Sequence, residues 1–254
     1  MNRNDIIEGL KSALEPLPYV YALWLEGADA NGTVDEYSDL DFWLDFEDEY
    51  ETQIISDVEA TLSSLGEIGY KHVMNHGHPK IRQRTYHISG TSEYLMIDFC
   101  WQLHSRTLSG DSVLIKGDKI EAAKVIFDKA NIVKYKDYDP ADFAGFNDER
   151  LRECKYRFSQ HCRVIKYVRR GLYAEAYAYY NRYVVEPLVD VIRLIYTPAH
   201  ADYYLVHISQ HVPKQVLQRL TGFLRVASLD DIESKTGEAQ LWFAELLGQL
   251  KSSH

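Results

Sequence analysis

The apolar positions of this chain change period partway along it. From Tyr19 to Glu26 they run almost unbroken (Val20, Ala22, Leu23, Trp24, Leu25), as in a strand buried on both faces. A second such run covers Leu40 to Phe46. Between Glu51 and Leu65, Ile54, Ile55, Val58, Leu62 and Leu65 recur at steps of three and four, which predicts a helix. Upstream, Asn4 or Asp5 is placed to cap a helix through Leu14, and Pro16 and Pro18 end it. Further strands are predicted over Ile68–Met74, Arg82–Ile88, Tyr94–Trp101 and Val125–Val133. One helix set among these strands implies a mixed sheet with helices packed on it.

After Asp139-Pro140 the strand signal fades. Leu151, Cys154, Phe158, His161, Ile165, Val168 and Leu172 form an amphipathic helical pattern. Tyr173 to Tyr196 reads as a second helix, kinked near Pro187 because proline removes a backbone donor. Shorter helices are predicted around Ala201–Gln210, Pro213–Leu224 and Glu238–Lys251. The expected architecture is therefore an α/β domain over residues 1–139 and a helical bundle over residues 140–254.

Composition narrows the class. With 254 residues, 46% of them hydrophobic, the chain can bury a sizeable core. A net charge of −10 argues against generic nucleic-acid binding. Cys100, Cys154 and Cys162 lack metal-ligand spacing and read as reduced thiols. Met1-Asn2-Arg3-Asn4-Asp5 has no signal-peptide apolar core, and no apolar run approaches the ~20 residues that span a bilayer. These features predict a cytoplasmic protein without membrane or nucleic-acid partners.

The charge is unevenly spread. Fifteen carboxylates and no Lys or Arg lie between Ser12 and Tyr70. Within that stretch the glycine-bearing turn Glu26-Gly27-Ala28-Asp29 precedes Ser38-Asp39-Leu40-Asp41-Phe42-Trp43-Leu44. Residues i and i+2 of a strand project from one face, so Asp39 and Asp41 are expected to point into one site. Two carboxylates that close repel each other unless a cation lies between them. Oxygen-only ligands suit Mg²⁺, which binds through a few carboxylates plus substrate phosphates. Asp98, flanked by Met96, Ile97 and Phe99, is a third candidate, as metal ligand or general base.

Against this acidic half stands the stretch from Arg150 to Arg170, with eight Lys or Arg and one acid, Glu153. Helical spacing gathers Arg152, Lys155, Lys166 and Arg170 on one face, making Lys155 and Lys166 candidates for binding phosphates; Arg82 and Arg84 compete for that role. Asp35, Glu36, Asp45, Glu47, Asp48 and Glu49 would attract a cationic acceptor. His72, His76 and His78, and the pair His207/His211, imply no complete metal set. His161 reads as a packed residue of the apolar stripe, and Tyr177, Tyr179, Tyr180 and Tyr183 mostly as packing.

Gly27, Asp39 and Asp41, followed by Asp98 in a strand-like run and by Val125-Ile126-Phe127-Asp128-Lys129, resemble the nucleotidyltransferase domain of aminoglycoside and lincosamide adenylyltransferases over roughly residues 15–135. The resemblance implies an NTP substrate, ATP first, one or two Mg²⁺ ions, and transfer of a nucleoside monophosphate to a hydroxyl of a small molecule such as an antibiotic. Asp39 and Asp41 would be metal ligands and Asp98 a third ligand or the base. Gly27 and Ala28 would face the nucleotide. The serine that the family carries after the glycine, understood to bind the outer phosphates, is Ala28 here. Asp29 follows it and is expected to add local repulsion. Two other readings are an antitoxin-type enzyme that nucleotidylylates a protein, and a nucleotide- or partner-binding relative with weakened catalysis.

Overall fold

A computed structural model describes the whole chain other than His76, Asp111, Lys119, Ser253 and His254, with Ser252 described for its backbone alone. The protein is mixed α/β with a mixed sheet and a helical C-terminal region, and it divides into two compact units, Met1–Tyr138 and Asp139–His254.

The N-terminal unit begins with α1 (Arg3–Leu14). Its cap is Asn2, not Asn4 or Asp5: the Asn2 side chain accepts from the N–H groups of Asn4 and Asp5, and Asp5 accepts from Asn2 N–H in return. Then follow β1 (Val20–Leu25), α2 (Gly27–Asn31), β2 (Leu40–Phe46), α3 (Glu51–Leu65), β3 (Ile68–Met74), β4 (Ile81–Ile88), β5 (Ile97–Leu103) and α4 (His104–Leu108). After these, β6 (Leu114–Ile115) pairs with β8 (Tyr135–Lys136), and β7 (Lys124–Asp128) joins the main sheet. That sheet has the order β3-β4-β5-β2-β1-β7. Only the β2–β5 pairing in it is parallel.

Two predicted strands are shorter than their apolar runs. The β5 strand starts at Ile97 because Leu95 and Met96 N–H turn back to the carbonyls of Ser92 and Tyr94. The β7 strand stops at Asp128, whose carboxylate takes the N–H groups of Ala130, Ile132 and Val133 and closes a turn with Asn131 left-handed.

Strand alternation divides the sheet into two unlike faces. Leu40, Phe42, Leu44 and Phe46 of β2, with Ile97, Phe99 and Trp101 of β5, join a core with Ile6, Leu10 and Leu14 of α1 and Ile54, Val58 and Leu62 of α3. The opposite face of the same two strands carries Asp41, Trp43, Asp45, Asp98, Cys100 and Gln102, in matched register.

The C-terminal unit contains α5 (Ala144–Ser159), α6 (Cys162–Val168), α7 (Tyr173–Tyr180), α8 (Glu186–Tyr196), α9 (Ile208–His211), α10 (Lys214–Leu224) and α11 (Leu229–Ser252), around a main core and a smaller cluster of Leu194, Ala201 and Leu250. The amphipathic stretch after Arg150 is two helices, broken at Gln160 and His161, and the break resets the buried phase to Val164 and Val168. His161 sits in that break with its ring at Phe158 O, and Leu172 is exposed. The expected kink near Pro187 is instead a π-helical turn over Asn181–Val185, immediately before α8. Residues 201–207 are not helical. The buried Arg193 guanidinium takes the carbonyls of Tyr204 and Val206, and Tyr204 and His207 adopt positive φ. The last helix starts earlier than its apolar pattern, capped reciprocally by Ser228 and Asp231. No helix among the described residues is long and apolar enough to cross a membrane.

Candidate functional site

Three strand-end segments build the site. β1 runs out at Leu25, and Glu26 N–H donates to Asp41 O at 2.9 Å, which tethers the following turn to β2. Gly27 then adopts φ +59°, and a Cβ there would stand 2.2 Å from Asp41 Oδ2. Glycine is required twice over, for the left-handed backbone and for the absent side chain. The turn and the aspartate are thus one packed unit, although fourteen positions separate them in the chain.

Asp41 and Asp98 are direct register partners on the parallel strands β2 and β5, so both lie on the face away from the α1/α3 core. Asp39 is the residue before β2 and is exposed; Asp41 is half-buried. The Asp41 carboxyl is pushed up to about 7, first by burial, then by the charges of Asp39 and Asp98, with Arg3 opposing. Glu26, whose carboxylate accepts from Trp24 Nε1 at 3.0 Å, is likewise pushed to about 7, chiefly by burial. The Asp98 oxygens are both approached by Gln83 Nε2, at 2.9 and 2.8 Å.

Asp29 does not face outward to repel a phosphate. It is buried, ion-paired to Arg3 of α1 and more loosely to Lys124 of β7 at 3.5 Å. Arg3 also donates to the carbonyls of Ser38 and Asp39, so one guanidinium holds the glycine turn and the approach to β2 together. Ala28 follows Gly27 as the second residue of α2.

The other candidates separate. Arg82 and Arg84 bind Glu51 and Glu59 of α3, on the sheet face opposite Asp98. Lys155 and Lys166 are exposed in the C-terminal unit on α5 and α6, so no single helix carries them with Arg152 and Arg170. Arg150 and Arg157 of the same basic stretch bind the buried Asp190. The acidic run after β2 is partly consumed. Asp45 is fully buried and held by His104, Gln102 and Thr107, Glu47 accepts from Tyr21, and Asp48 accepts from Ser105 N–H. His76 lies outside the described residues, and His211 sits beside Arg193. Tyr180 is a core residue, while Tyr177 is exposed.

Sequence reasoning missed Arg3, Gln83, Glu26 and Lys124. Gln83 was legible in principle, since alternation along β4 sets it opposite Arg82 and Arg84. Arg3 and Lys124 were not, because only the tertiary fold brings them to Asp29.

A hard divalent cation fits the chemistry of this donor set. The donors are oxygen only, and burial, followed by the charges of Asp39 and Asp98, drives Asp41 toward protonation. Among the described residues no three His, Cys, Asp or Glu side chains converge tightly enough to enclose a metal ion by themselves. Mg²⁺ does not need such a cage, because it keeps several waters and uses one or two carboxylates plus phosphate oxygens.

No family model matches the chain, and no curated protein does. Among solved structures it is similar to a spectinomycin adenyltransferase, AAD(9) from Enterococcus faecialis, solved with ATP and spectinomycin. That likeness has 11% identity over 98% of this chain and 100% of that chain, with a TM-score of 0.32. It is also similar to the structure of a GLD-2/RNP-8 complex, at 11% identity over 87% of this chain and 73% of that chain, with a TM-score of 0.34.

Proposed function

We propose that the protein is a cytoplasmic, Mg²⁺-dependent nucleotidyltransferase that moves a nucleoside monophosphate from an NTP to a hydroxyl of a small molecule. The observation that carries this reading is the packing of the Gly27 turn on Asp41, with Asp98 in register beside it. Asp39 and Asp41 would be the metal ligands, sharing the ion with phosphate oxygens and water, and Asp98 a third ligand or the general base. A bound Mg²⁺ would supply charge stabilisation at the phosphate oxygens. Gly27 lets the chain pass close to the carboxylate, and Gly27 and Ala28 would face the nucleotide. Asp98 takes the proton of the acceptor hydroxyl as that oxygen attacks the α-phosphorus, and pyrophosphate leaves. Gln83 orients the Asp98 carboxylate for this step through its two contacts.

ATP is the first nucleotide to test, and a hydroxylated, cationic acceptor such as an aminoglycoside or lincosamide the first acceptor. The exposed Asp35, Glu36 and Asp39 supply the negative field that favours such an acceptor. The test is pyrophosphate release with Mg²⁺ across a matrix of nucleotides and hydroxylated antibiotics. Release that requires both an NTP and one acceptor class, and that disappears in Asp98→Asn, is the expected result. Tight Mg²⁺-dependent nucleotide binding without release for any acceptor would favour a binding protein, a reading supported by the engagement of both Asp98 oxygens.

A further inference from the structure

We infer that the Lys124 ammonium binds the outer phosphates of a nucleoside triphosphate at the Gly27 turn, in place of the hydroxyl that Ala28 lacks. This rests on the nucleotidyltransferase reading and adds a residue to it. A triphosphate brings several negative charges to a turn already crowded with carboxylates, so a cation must meet it. Residues 12–70 contain none.

Among the described residues, Arg3 and Lys124 reach the turn by pairing with Asp29. Arg3 is committed: its side chain is only 16% exposed, and it is shared among Asp29 and the carbonyls of Ser38 and Asp39. Lys124 is not. It stands opposite Leu25 in the β1–β7 register, two residues before Gly27. Its side chain is 52% exposed, and its contact with Asp29 is a long 3.5 Å. An ammonium has three donors, so Lys124 keeps capacity for phosphate oxygens while Asp29 steers it. Among the described residues, Arg82 and Arg84 are on α3 and Lys129 is on the carbonyls of Glu15 and Leu17. Arg106 shares the sheet face of Asp41 and Asp98 but is held there, over Trp43 and on Gln102 Oε1. Buried Asp29, which looked like an obstacle to nucleotide binding, becomes the residue that positions a phosphate donor.

The test compares the full-length protein with Lys124→Met and Lys124→Arg. Calorimetry with Mg²⁺ measures the dissociation constants of a non-hydrolysable ATP analogue and of AMP. Lys124→Met should weaken the analogue by roughly tenfold or more, the size of a lost charge-assisted hydrogen bond, and leave AMP unchanged. Lys124→Arg should stay near wild type, and the urea midpoint should not move in either variant. Unchanged analogue affinity in Lys124→Met overturns the inference and leaves the nucleotidyltransferase reading intact. Equal weakening of AMP and the analogue, or a shifted urea midpoint, assigns Lys124 a structural role and also overturns it. Failure of the wild-type protein to bind the analogue removes the reading beneath it.

Discussion

Replacing Asp41 by Asn should make the metal-free protein more stable, although it removes a residue central to the proposed chemistry. The Asp41 carboxyl rises from an ordinary 3.8 to about 7 in the folded protein, through burial and then the neighbouring Asp39 and Asp98 charges. Between these two values the folded state binds a proton that the unfolded state has lost. Stability therefore falls as pH rises from about 4 to about 7, and is level above that. At 1.36 kcal/mol per pH unit, a gap of roughly three units sets a ceiling of about 4 kcal/mol on the cost of the ionised carboxylate. Asp41 keeps some solvent contact, which lowers the expected gain for Asp41→Asn to about 1–3 kcal/mol near pH 8. Near pH 4 the gain should shrink below about 1 kcal/mol, because the wild-type carboxyl is then protonated in the fold. The assay is urea unfolding in a chelator, followed by tryptophan fluorescence. Trp24, Trp43 and Trp101 belong to the N-terminal unit and Trp242 to the other, so the signal is weighted to the right place. Millimolar Mg²⁺ with nucleotide should stabilise wild type and leave Asp41→Asn unmoved. If Asp41→Asn is no more stable than wild type near pH 8, or if the difference ignores pH, the crowded-carboxylate account of this site is wrong.

Other perturbations probe separate links. Gly27→Ala sets a Cβ into Asp41 Oδ2 and forces an L side chain to φ +59°, so it should cost about 1–3 kcal/mol and abolish nucleotide transfer; urea unfolding and pyrophosphate release check the two effects. Asp190→Ala strands Arg150 and Arg157 around a buried position and should destabilise the C-terminal unit by about 3–5 kcal/mol, read from the Trp242 transition. Lys155→Ala and Lys166→Ala, both at exposed positions, should leave stability within about 0.5 kcal/mol. Their affinity for the ATP analogue then decides whether the helical unit contributes to nucleotide binding. Ala28→Ser should tighten that analogue by roughly tenfold if its hydroxyl meets a phosphate oxygen; flat affinity would mean the turn differs from that of the adenylyltransferases it resembles.

The apolar pattern by itself determined the buried strands β1 and β2 and the helix α3 to within a few residues, because burial on a sheet or under a helix imposes a period; α1 was marked instead by its cap and the prolines after it, and the exposed β3 by strand-forming residue types. The apolar pattern also set Asp41 and Asp98 within strands, since an acid in an apolar run stands out against that period. What it did not carry was pairing. That β2 lies parallel to β5, aligning Asp41 with Asp98, follows from a crossover through α3, β3 and β4 and from no local pattern. The fate of charge was equally hidden. Arg3, Asp29 and Lys124 meet across 26 and 95 positions, so an aspartate that looked repulsive in sequence is neutralised in the fold. Helix interruptions in the C-terminal unit escaped for a related reason. The carbonyls of Tyr204 and Val206 are held by Arg193, 11 and 13 positions earlier, and periodicity registers only which face is buried, not whether the backbone between two buried faces is continuous, as at Gln160.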